Sequence, residues 1–148
     1  MADDAFRPLG GRFIQEIGAH TMEVEGDLIL MRVRGMITLD DMKGFLALQA
    51  RVRRQYGSVF VLYDSRESTG LHPAARKYAT DHTTLDTRAD AAASFGASFA
   101  LRVLVNMLTR AQEALRREGT RTMLFDTEVQ ARAYLAQERQ RLQPHAAA

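Results

Sequence analysis

The 148-residue sequence contains no cysteine and no tryptophan, and only two of its 20 cationic side chains are lysines. Without thiols there is no disulfide frame, no thiolate metal ligand and no cysteine nucleophile, and the chain suits a reducing compartment, the cytoplasm. Long apolar runs are missing too. The richest stretch, Ala91 to Leu108, is interrupted by Ser94, Gly96, Ser98, Arg102 and Asn106, which argues against a membrane span of about 20 apolar residues. The start, MADDAFRPLGG, carries two acids and no apolar segment of signal-peptide length. Residues 1–11 are expected to form a disordered lead, and residues 143–148 a disordered tail.

Gly57, Gly70, Gly96 and Gly119 fall singly, so neither a phosphate-cradling loop nor a dinucleotide fingerprint is present. His20, His72, His82 and His145 show no metalloprotease spacing and are expected at the surface or in turns, with no metal or cofactor. Asp64, Ser65 and His72 supply the residue types of a hydrolase triad, yet no G-x-S-x-G elbow accompanies them. The expectation is a protein without turnover chemistry. An excess of one charge is absent as well: 20 cations face 18 anions, for a net charge of +2. The sequence pI of about 9.3 reflects the high pKa of arginine. The pairs Arg53-Arg54 and Arg116-Arg117 stand without the aromatic or glycine-rich motifs of nucleic-acid binders, which argues against a nucleic-acid partner.

What is present suffices for one domain: 46% of residues are hydrophobic, enough for a real core at this length. Residues 12–142 are assigned to a single α/β domain. His20 to Glu25 alternates, and Leu28 to Arg34 follows across Gly26-Asp27, a pair suited to a tight turn. Together they predict a β-hairpin. Met22, Val24, Ile29, Met31 and Val33 would face the core and Glu23, Glu25, Arg32 and Arg34 the solvent. Thr38 is the expected cap of a helix with Asp40 and Asp41 in its first turn, and Gly57 ends it.

The chain is organised around Ser58 to Arg76. Val59 to Tyr63 is a continuous β-branched and aromatic run, as in a strand covered on both faces at the centre of a sheet. Asp64, Ser65, Arg66, Glu67, Ser68, Thr69 and Gly70 read as a polar loop at its carboxyl end, where α/β folds place ligands and partners. Thr69 or Gly70 is the expected cap of a second helix, with Pro73 in its first turn. Ala91 to Phe95 reads as a strand and Ser98 as the cap of a long helix to about Glu118. That helix carries Leu101, Val103, Leu104, Val105, Met107, Leu108, Ala111 and Leu115 over roughly half its circumference, wider than the ~100° of one core stripe. Either the sheet and a flanking helix cover the whole arc within one domain, or a second copy of the chain meets the excess in a homodimer. Gly119 breaks the helix, Thr122 to Phe125 forms a short strand, and Asp126 or Thr127 caps a last helix through Leu142. The order is β-hairpin, α, β, α, β, α, β, α: about five mixed strands and four helices.

Three segments resemble the STAS superfamily, the fold of bacterial anti-sigma-factor antagonists, in its small stand-alone branch related to the lipid-carrying CRAL-TRIO domains. Glu67-Ser68-Thr69-Gly70-Leu71 is similar to the Asp-Ser-Ser-Gly-Leu motif in which the antagonists' first serine is phosphorylated by a partner kinase. The interval from the strand-ending acid to this serine is shorter here than in the antagonists. Gly96 to Arg102, and Phe125-Asp126-Thr127 with Ala131, Ala133, Tyr134 and Leu135, look like the strand-to-helix junctions of the stand-alone branch. The resemblance implies a regulatory module with a protein partner, Ser68 as the phosphosite, and Asp64, Ser65, Glu67, Ser68, Thr69 and Gly70 as the partner or ligand loop. The alternative it implies is a carrier for lipid or another small apolar ligand, with Arg102 or Arg110 at the pocket mouth.

Overall fold

A computed structural model describes residues 11–114 and 122–142. Residues 1–10 of the expected lead, the expected tail, and Leu115, Arg116, Arg117 and Gly119 of the long-helix reading lie outside these residues, while Gly11 is described and accepts from the Gly26 N–H. The α/β architecture is as the sequence predicts, with four helices and a mixed sheet among the described residues. Among the described residues the sheet has six strands rather than five, ordered in space as in sequence. The added strand is β1 (Arg12–Ile17), antiparallel to β2 (His20–Glu25), which pairs antiparallel with β3 (Leu28–Ile37). β1 escapes a sequence reading because it is an edge strand: Phe13 and Ile17 pack on the core while Ile14 points outward.

From β3 onwards the pairing is parallel, through β4 (Phe60–Leu71), β5 (Ala91–Phe95) and β6 (Thr122–Phe125). The connections are α1 (Leu39–Tyr56), α2 (Pro73–His82) and α3 (Phe99–Ala114), and α4 (Glu128–Leu142) follows β6. On one face of the sheet, Phe45, Leu48 and Val52 of α1 and Ala75 of α2 meet Met22, Ile29, Met31 and Val61. On the other, Ala131, Leu135 and Ala136 of α4 cover Leu28, Leu30, Phe60 and Leu62. The second strand of the hairpin is therefore buried on both faces over its first half, where alternation alone predicts one wet face.

α1 begins in a capping box: Thr38 Oγ1 accepts from the Asp41 N–H and the Asp41 carboxylate accepts from the Thr38 N–H, satisfying two amides that the first helical turn leaves free. Gly57 ends the helix in the left-handed region. The cap of α2 is His72, whose Nδ1 accepts from the Ala74 N–H, and not Thr69 or Gly70. Those two belong to β4, because the stretch read as a loop is strand: Arg34, Gly35, Met36 and Ile37 of β3 pair with Glu67, Ser68, Gly70 and Leu71. Two register shifts in this ladder put an extra residue into β4 each time, which breaks the strict alternation of strand side chains. Asp64 and Ser65 are consequently both buried, and Arg66 and Glu67 both exposed.

Candidate functional site

The last β5 pair of β4 is Asp64 with Phe95. From Ser65 to Leu71, β4 runs on with β3 at one edge and, among the described residues, no strand at the other. This two-stranded ribbon carries most of the site residues expected from sequence, in two different roles.

Asp64 is 7% exposed and acts as an internal anchor. Arg66 donates to both of its oxygens, at 2.9 and 2.7 Å, and Arg32 donates to it at 3.2 Å from the neighbouring strand. The hydrogen bond from Arg66 is the largest influence on the Asp64 carboxyl and, with both guanidinium charges, holds it below the usual carboxylate range despite burial. The pairing continues through Arg32 and Glu23 at 3.6 Å to Arg12 at 3.7 Å, an ion ladder across four strands. The sheet face covered by α4 changes from apolar to ionic along β3 and β4, between Leu30 and Arg32 and between Leu62 and Asp64. Arg66 also lies over the Phe95 ring and against Gly96, whose φ of +77° suits glycine and where a Cβ would run into the Arg66 side chain.

Ser65 is buried and shares a 2.8 Å hydrogen bond with Ser94 Oγ. His72 is engaged as a helix cap, and Asp64 with arginines, so the three triad residue types have separate partners. Arg66, Glu67 and Thr69 are exposed, with Arg34 and Met36 beside them on β3, and Arg34 lies 3.6 Å from Glu67. Ser68 is half-buried and Gly70 buried.

Ser65, Ser68 and Gly70 also line a cavity of about 170 Å³ between the sheet, α1, α2 and α3. Its apolar wall includes Phe45, Leu71, Leu101 and Val105. Its polar lining includes Gln49 and Tyr63, and burial pushes the Tyr63 hydroxyl up to about 12. Arg88 is the arginine in this wall. Arg102, expected at the mouth, instead lines a cleft beside α4 with Phe125, Asp126 and Tyr134 and donates to Asp126 at 2.7 Å. Arg110 is exposed on α3.

No family model matches the sequence, and no curated protein is significantly similar to it. Among solved structures, an uncharacterized protein from the DUF3478 family with a SpoIIAA-like fold, from Shewanella loihica PV-4, is 16% identical, with a TM-score of 0.48 over 84% of this chain and 92% of that one. The anti-sigma factor antagonist SpoIIAA in its unphosphorylated form is 10% identical, with a TM-score of 0.47 over 88% of this chain and 98% of that one. The chain is similar to proteins of SpoIIAA-like fold.

Four polar residues, His20, Asp41, Asp27 and Arg139, form buried pairs that the sequence does not reveal. His20 is buried, not at the surface. Its Nδ1 accepts from the Arg34 N–H at 3.0 Å, so that nitrogen carries no proton, and Nε2 faces Asp41 Oδ2 at 2.9 Å. Asp27, read as a turn residue, is fully buried. It accepts from Arg139 of α4 at 2.6 Å and from Ser58 Oγ at 2.6 Å. The only local signal for either pair is a charged or titratable residue interrupting an apolar pattern. Both pairs are structural fasteners, and His20 also holds the Arg34 N–H at the start of the ribbon.

Proposed function

We propose that this chain is a non-catalytic regulatory domain that docks a protein partner on the β3–β4 ribbon. The observation that carries the reading is the extension of β4 from Ser65 to Leu71 beyond its last β5 pair, with an open edge among the described residues. An open edge offers unpaired backbone groups to an extended partner segment, and Arg66, Glu67, Thr69 and Met36 supply exposed side chains for selectivity. Phosphate on Ser68 switches the contact. It adds nearly two negative charges beside Glu67, and the half-buried serine opens onto a largely apolar cavity that cannot solvate them. The phosphate is then forced outward onto the ribbon, where it repels an acidic partner.

A photo-crosslinking residue placed at Thr69 in host cells is expected to capture a partner that the same residue at Gln140, exposed on α4, does not. Ser68→Asp is expected to reduce that capture. Capture from Gln140 and not from Thr69 would refute the assignment. The cavity beneath α3 favours a second reading, the binding of a small ligand, in keeping with its apolar wall and the polar groups within it.

A further inference from the structure

The cavity contains polar groups that the described residues do not use. Gln49 of α1 is 6% exposed and lines the cavity. Among the described residues nothing hydrogen-bonds to its amide, and the side chain stands in the cavity wall. The Tyr63 hydroxyl is in the same state. The Ser65–Ser94 bond uses one of two hydroxyl hydrogens and leaves the other available. A buried amide without a partner is costly, and this cost is recovered when a ligand supplies the partner. An apolar cavity of about 150 Å³ holds benzene, so about 170 Å³ suits one ring and a substituent and is too small for a lipid acyl chain.

We infer that the cavity binds a small, uncharged, ring-sized molecule, largely apolar, with one hydrogen-bonding group held between the Gln49 amide and the Tyr63 hydroxyl. This rests on the small-ligand reading of the cavity and narrows it. A primary amide donates and accepts, so it satisfies a ligand hydroxyl in either direction. The desolvation that raises Tyr63 to about 12 also opposes a carboxylate in the same space, although half-buried Arg88 in the wall makes an acid the competitor to test.

The experiment titrates p-cresol, toluene and benzoate into the full ¹⁵N-labelled chain and follows backbone amides by NMR. p-Cresol is expected to shift the Gln49, Tyr63 and Val105 signals saturably. Toluene should bind about tenfold more weakly, as loss of a hydrogen bond entails, and benzoate more weakly still. Gln49→Leu should bring p-cresol to the toluene level without weakening toluene. Val105→Trp, which fills the space from a half-exposed helical position, should weaken both. Equal binding of p-cresol and toluene, or an unchanged ratio in Gln49→Leu, overturns the polar-group assignment and leaves the small-ligand reading standing. Benzoate binding tightest, with loss in Arg88→Gln, overturns the uncharged class. No saturable shift from any probe overturns the small-ligand reading as well.

Discussion

Replacing Arg139 with methionine separates a buried charge from its partner while keeping most of the side-chain volume. Asp27 is 0% exposed and Arg139 9% exposed, and Arg139 Nη2 stands 2.6 Å from Asp27 Oδ1. With an effective dielectric constant of about 20, unit charges at that distance attract by roughly 6 kcal/mol, most of it offset by the cost of dehydrating both. Removing one partner leaves that cost uncompensated, and Arg139→Met is expected to lose about 3–5 kcal/mol. Among the described residues, Ser58 alone remains to hold the carboxylate. Methionine keeps a contact with the Phe60 ring over which Arg139 sits at 4.8 Å, so the loss reports the charge more than the packing. Against a total stability of about 5–15 kcal/mol, the variant is near the limit of folding.

The assay is a urea-denaturation cycle with wild type, Arg139→Met, Asp27→Asn and the double variant. The double variant should be more stable than Arg139→Met, because no ionised carboxylate is then stranded. Melts in 0.1 and 1 M NaCl should agree closely, because a buried pair is screened little. Additive losses, with a coupling energy under about 0.5 kcal/mol, would refute the argument and reduce the pair to two independent contacts.

Acid should destabilise the fold through Asp41 and Asp64. Burial alone would raise Asp41, but the Thr38 N–H and the His20 and Thr38 side chains together hold it below the ordinary value, as Arg66 does for Asp64. Carboxyls lowered on folding contribute stability that is present above the unfolded pKa, near 4, and lost as pH falls through the folded values. The urea midpoint should hold from pH 7 to about 5 and fall below 4, with a shallower fall in Asp41→Asn; a flat profile to pH 3 would contradict this. On α3, Phe99 is 82% exposed, Met107 59% and Val103 42%, a stripe at helical spacing. It predicts a dimer in sedimentation velocity that Val103→Arg converts to monomer, and a monomeric wild type at micromolar concentration refutes it.

Most elements are legible in the sequence because their causes are local. Thr38 and Gly57 bound α1 through capping amides and a left-handed backbone within a few residues of the helix ends. Ser98 begins α3, bonded to the Leu101 N–H, and Thr127 begins α4, bonded to the Gln130 N–H. The hairpin and the run through Tyr63 follow from periods of apolar residues that any neighbouring surface would select. Ser65 to Leu71 has the composition of a loop and becomes strand only because Arg34 to Ile37 lies beside it.

The sequence by itself therefore determined the order of the elements from β2 to α4, both ends of α1, the starts of α3 and α4 and the position of the central strand, since these depend on sterics and periodicity along neighbouring residues. Only the tertiary structure decided the β1 edge, the extension of β4 beyond β5, and the cavity that brings Gln49, Tyr63 and Ser68 together from α1 and β4. It also joined Asp27 to Arg139, 112 residues apart, and His20 to Asp41, 21 apart. The physical reason is that a buried polar group is defined by its partner. Partners separated by whole elements meet only when the sheet and its covering helices close around them.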